Sequence, residues 1–166
     1  MIKLKHFIYL GILWMAVSCQ KSNEDVVTAT VIINGVNQSE MLNLINAYRA
    51  KGCTCGTEVM PPVAKLAWND KLGLSAIKHT KDMAANNFFS HTSQDGRTVV
   101  ERINAEGYSW TMIGENIAMG QTTEKQVMDG WINSPGHCKN IMTAGFNEVG
   151  FGRDKNYWTQ NFGRSR

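Results

Sequence analysis

From Asn37 to Gly52 the apolar residues Met41, Leu44, Ile45 and Tyr48 recur at i, i+3, i+4 and i+7, so they share one stripe of a helix facing a core. Asn37 and Glu40 have capping-box spacing at its start, and Gly52 ends it. The next stretch holds Cys53, Cys55, Gly56, Pro61 and Pro62 and reads as a loop, since its glycine and prolines cannot continue a helix. Leu66 to Asp70 leads into a second helix, in which Leu72, Ala76, His79 and Met83 lie on one face. His79 on that stripe reads as a packed, hydrogen-bonded histidine.

Further on, Gln94-Asp95-Gly96 is a turn, and Thr98 to Glu106 is a short helix with Val99, Arg102 and Ile103 that stops at Gly107. Tyr108 to Ala118 reads as extended. Thr123 with Gln126 can box the start of another helix, carrying Val127, Met128, Trp131 and Ile132 inward; Pro135-Gly136 breaks it and presents His137. Glu148 to Arg153 and Tyr157 to Phe162 alternate apolar and polar residues, as strands do, around Asp154-Lys155-Asn156. Helices flanking a few late strands predict an α+β domain of α/β/α layers, with a small sheet between helices.

The N-terminus follows a different pattern. Lys3 and Lys5 precede an apolar run from Phe7 to Val17, which fits a secretory signal core and is too short to span a bilayer. The run ends at Ala16-Val17-Ser18-Cys19, which resembles the bacterial lipoprotein cleavage box, with Ala16 where leucine is usual. The expected organisation is a signal peptide over residues 1–18, a tether with a possible short strand over 19–36, and one domain over 37–166. Cys19 is the expected lipidation site, favoured over an ordinary signal peptide with a chance cysteine, and the expected membrane partner is reached through that N-terminal lipid. Glu24 and Asp25 behind Cys19 resemble signals that send lipoproteins outward, which places the protein at the outer membrane or cell surface.

Cleavage before Cys19 would remove Lys3 and Lys5 from the 17 basic residues and none of the 14 acidic ones, leaving a net charge of +1. The remaining basic residues are scattered among acids, so no nucleic-acid partner is expected.

Three islands carry candidate chemistry: Ser90-His91-Thr92-Ser93, Gly114-Glu115-Asn116-Ile117-Ala118, and Trp131 ahead of Ser134-Pro135-Gly136-His137. In this order they resemble the CAP superfamily (cysteine-rich secretory proteins, antigen 5 and pathogenesis-related proteins), in particular its bacterial secreted branch, over roughly Asn37 to Phe162. The resemblance implies a three-stranded antiparallel sheet covered on both faces, and a cleft where His91, Glu115 and His137 converge. Two imidazoles suit zinc or copper, and Glu115 could be a third ligand, a general base on bound water, or a buried hydrogen-bond hub. Many relatives carry a second glutamate at the position of Ser134, so a paired-carboxylate mechanism lacks its second member here.

With Cys19 lipidated, three cysteines remain and at most one intrachain disulfide can form. Cys53 and Cys55 are too close for an easy unstrained bridge, so Cys138 is expected to pair with one or the other. The leading functional reading is a lipid-anchored extracytoplasmic domain whose His91/Glu115/His137 cleft binds a divalent metal, zinc for example, or a small ligand. The alternatives are a metal-assisted hydrolase of peptide or envelope substrates with Glu115 as general base, and a lipid or sterol binder.

Overall fold

The computed structural model describes residues 31–166, so the signal, Cys19 and most of the tether lie outside the described residues. Strands β1 (Ile32–Ile33) and β2 (Val36–Asn37) form a hairpin. Val36 is fully buried in the main core, so the packed unit begins before Asn37.

Helix α1 (Gln38–Lys51) starts where its sequence signal lies. Asn37 Oδ1 accepts from the Glu40 backbone, but the Glu40 carboxylate returns to the Asn37 amide, while the Asn37 backbone N–H donates to Glu124. The cap thereby ties α1 to a distant helix. Contrary to the loop reading, Cys53 to Met60 is a hairpin of β3 (Cys53–Cys55) and β4 (Glu58–Met60), turning at Gly56 with φ 66°.

Strand β5 (Ala67–Trp68) precedes α2 (Asp70–Asn86), which Asn69 caps by accepting from the backbones of Lys71 and Leu72. The short α3 (Val99–Ala105) has a full capping box between Thr98 and Glu101. Strand β6 (Trp110–Met119) and α4 (Glu124–Asn133) follow. Pro135 does not simply break α4; it opens a new helix, α5 (Pro135–Met142), since proline needs no donor in a first turn. Strands β7 (Glu148–Asp154) and β8 (Tyr157–Ser165) close the chain. Among the described residues no helix is long and apolar enough to cross a membrane.

The principal sheet has four strands in the order β5-β7-β8-β6. Its three long strands are antiparallel, as expected, and the two-residue β5 adds a parallel edge. Alternation along β8 separates the two faces. Trp158 and Phe162 join Val149 and Phe151 of β7 in a core shared with α1, α4 and α5, while Thr159 and Asn161 face α2. On that second face β7 presents Gly150 and Gly152, and α2 lies directly on their backbone. A Cβ on Gly150 would sit 2.1 Å from the Gly73 nitrogen, and one on Gly152 would sit 2.4 Å from the Ile77 nitrogen. The sheet is thus layered between α2 and α3 on one side and α1, α4 and α5 on the other. Burying each of the large apolar side chains at its centre contributes about 1.5–3 kcal/mol.

Arg49 of α1 is fully buried without a carboxylate partner. Its guanidinium donates to the carbonyls of Ala64, Ile141, Thr143 and Phe146, and burial lowers its pKa to about 10. Two of those carbonyls lie at the C-terminal end of α5, where a cation is favoured by the helix dipole. Arg49 therefore fixes the helix whose first turn carries His137.

Candidate functional site

Glu115 lies on β6, an edge strand of the sheet, and its side chain faces the α2 and α3 side opposite Asn161. Only 2% of that side chain is exposed. Both carboxylate oxygens are engaged. Oε1 accepts from Nδ1 of His91 at 2.8 Å, and Oε2 accepts from Nη2 of Arg102 at 2.6 Å. With its amide oriented to suit its neighbours, Asn161 donates a further hydrogen bond to Oε2 at 3.2 Å. A buried carboxylate requires such compensation, and a hydrogen-bonded guanidinium supplies the countercharge.

Arg102 does more than neutralise Glu115. Its Nη1 reaches the carbonyl oxygens of His91 and Arg97 at 2.9 and 3.0 Å, and Ser93 Oγ at 3.2 Å. One guanidinium thus joins β6 to both ends of the loop that carries His91. His79 secures the same loop, with Nδ1 against Ser93 Oγ and Nε2 against the Ser90 carbonyl. Burial, and secondarily the Arg102 charge, pushes its pKa down, so His79 is held neutral in a structural role. The packed-histidine expectation stands.

His91 itself is 57% exposed. Because Nδ1 faces a carboxylate, that nitrogen carries the proton in the neutral ring, and Nε2 keeps its lone pair. A carboxylate holding the tautomer and orientation of a histidine in this way is the usual outer partner of a metal-binding imidazole.

His137 comes from the other side of the sheet edge, in the first turn of α5. Its carbonyl accepts from Asn116 Nδ2, and Asn140 Nδ2 in turn reaches Asn116 Oδ1 and the Glu115 carbonyl. Trp131 Nε1 donates to the Ile117 carbonyl. These side chains occupy outward carbonyls of β6 and dock α4 and α5 against the strand, a common way to blunt a sheet edge. Burial first, and the neighbouring His91 second, lower the pKa of His137. Ser134 caps α5 without a side-chain hydrogen bond.

His91 is backed by the Glu115 carboxylate, and His91, Glu115 and His137 do not surround one point as three ligands. Among the described residues the grouping of three metal-type donors within 4.8 Å is Cys53, Cys55 and Cys138; His91, Glu115 and His137 do not form one. As arranged here, Glu115 stands behind His91. Of the roles read for Glu115, the hydrogen-bond hub matches its contacts. Arg102, which the sequence shows only as one position of a short helix, is the residue that makes the hub possible.

The cysteine expectation resolves to one pairing. Cys55 and Cys138 form the disulfide, closing 83 residues of sequence separation, and Cys53 is a free thiol.

The family model for CAP, the cysteine-rich secretory protein family, matches residues 42–162. The chain is 32% identical over 130 residues to the uncharacterized membrane protein YlbC of Bacillus subtilis (strain 168), covering 78% of this chain and 35% of that protein. It is 33% identical over 127 residues to the uncharacterized protein YkwD of the same organism, covering 75% and 46% respectively. It therefore spans less than half the length of either relative. Among solved structures, an extracellular protein containing an SCP domain from Bacillus anthracis superposes with a TM-score of 0.69 at 32% identity, covering 76% of this chain and 40% of that one. An outer surface protein from Borrelia burgdorferi shares the fold, with a TM-score of 0.62 at 22% identity over 77% of this chain and 89% of its own. The ordered islands, the layered sheet and the matched residues agree, and the chain belongs to the CAP, or cysteine-rich secretory protein, family.

Proposed function

We propose that this protein is an exported CAP domain, anchored by a lipid on Cys19, whose His91–His137 pair binds a divalent metal such as zinc, or a small ligand, reversibly at the edge of the sheet. The observation that carries this reading is the chain Arg102–Glu115–His91: a buried ion pair holds an exposed imidazole by Nδ1, so that Nε2 is not the nitrogen bound to the carboxylate. The charged, hydrogen-bonded support makes His91 a stronger donor than a free surface histidine. Extracellular and outer-surface placement of two structural relatives agrees with export.

Binding is favoured over metal-assisted hydrolysis by the same contacts. A general base needs a free carboxylate oxygen within reach of the attacking water, and Glu115 has both oxygens engaged and almost no exposed surface. Calorimetric titration with zinc tests the proposal: the folded wild-type domain should bind, and variants lacking the imidazoles should not.

A further inference from the structure

Strand alternation places Cys53 and Cys55, two residues apart on β3, on the same face of their hairpin. Thr54 between them is exposed, whereas Cys55 is buried and Cys53 half-buried. The face they share meets the first turns of α5. Gly56, at the hairpin turn, lies against Pro135: a Cβ there would meet Pro135 Cγ at 3.1 Å. Lys139 of α5 pairs with Glu58 of β4 at 2.6 Å. The hairpin is thus held against α5 by contacts independent of any sulfur bond.

Within that frame the free Cys53 sulfur lies 3.6 Å from Cys138 Sγ and 3.9 Å from Cys55 Sγ. A free thiol thus lies beside a disulfide, on the same strand face as one of its cysteines and near both of its sulfurs. We propose that Cys53, Cys55 and Cys138 form a single thiol–disulfide exchange site, in which the bridge to Cys138 migrates between the two cysteines of β3.

The step is balanced within the chain. Cys53 gives its proton to solvent, its thiolate attacks Cys138 Sγ, the new Cys53–Cys138 bond forms as the Cys55–Cys138 bond breaks, and Cys55 leaves as a thiolate that takes up a proton. No net oxidation occurs. Cys53 sits beside the bond, nearly equidistant from both sulfurs, whereas displacement proceeds along the bond axis. A rotation of its side chain on the half-buried strand must therefore precede attack. Because Cys138 follows His137, the site decides through which residue of β3 the histidine-bearing turn is tethered, and it does so whether or not His137 binds metal.

The test uses the oxidised mature protein. It is incubated with a trace of reduced glutathione at mildly alkaline pH, quenched with acid, labelled with a maleimide at low pH and mapped by mass spectrometry. The label should divide between Cys53 and Cys55, with Cys55 carrying about a tenth or more of it, as expected for two linkages within one tenfold step in equilibrium. Cys55→Ser should form the Cys53–Cys138 bridge, and Cys53→Ser should hold Cys55–Cys138 and show no labelling. Label confined to Cys53 in the wild type would overturn the proposal. So would a folded Cys55→Ser variant, verified by circular dichroism, in which Cys53 and Cys138 both stay free.

Discussion

Arg102 Nη2 lies 2.6 Å from Glu115 Oε2, and the two side chains are 3% and 2% exposed. This buried pair links α3 to the edge of the sheet and suspends the His91 loop between them. Removing one member leaves a charge without its partner in a dry environment. Arg102→Met should therefore destabilise the fold by about 3–5 kcal/mol, whereas the double variant Arg102→Met/Glu115→Leu should recover part of that loss. Denaturant unfolding of the two singles and the double is the measurement. Costs that simply add would mean the two residues do not act as a unit.

The pH response follows from the histidines. His79 and His137 both have folded-state pKa values below the ordinary histidine value, His79 through burial and the Arg102 charge, His137 through burial and His91. The unfolded chain then binds more protons than the folded one as pH falls below about 6.5. Their contribution to stability is present above that pH and lost as pH drops toward the depressed folded values. The melting temperature should decline through this window, and His79→Gln should flatten the decline. An unchanged slope in that variant would remove His79 from the account.

Two glycines offer a paired test of the packing. At Gly150 a Cβ would meet the α2 backbone at 2.1 Å, but at Gly136 in α5 it would meet nothing within 4 Å. Gly150→Ala should lift α2 from the sheet and cost at least the roughly 1–3 kcal/mol typical of overpacking. Gly136→Ala should be neutral or stabilising by up to about 1 kcal/mol. Thermal melts of the two variants separate a close-packed face from an incidental glycine.

The N-terminal proposal has its own measurement. Intact mass of the membrane-extracted protein should show chain removal before Cys19 and an added acyl mass, and Cys19→Ala should shift the protein out of the membrane fraction. Wild-type protein without the acyl increment would remove the anchor.

What the sequence discloses and what it conceals divide along the range of the interactions. Asn37, Asn69, Thr98 and Thr123 all cap helices in the structure; Asn37 and Thr123 are legible as caps because capping involves residues two or three apart. The long strands β6, β7 and β8 are legible from alternation and from an extended run. The Cys53–Met60 hairpin is not, because each arm is only three residues and its glycine and prolines read as loop. Pro135 reads as a breaker, which suits the end of α4, but the same residue is preorganised for the first turn of α5. Arg49 and Arg102 are least legible. Their partners lie 15 to 97 and 5 to 13 residues away, and no local period marks a buried arginine. The site is therefore legible as histidines and a glutamate, whereas the division of labour among them depends on Arg102.

The central claim is that His91 and His137 act together as a donor pair, with His91 oriented from behind by Glu115. Zinc affinity of the folded domain, measured by calorimetry above about pH 7, tests it most directly. Wild type should bind, His91→Ala or His137→Ala should abolish binding, and Glu115→Gln should weaken it by about 10–100-fold, as loss of an outer-shell partner does. His79→Gln removes no proposed donor but loosens the loop that carries His91, so it should lower stability while zinc binding persists. Unchanged zinc affinity in a folded His91→Ala/His137→Ala double variant would contradict the account.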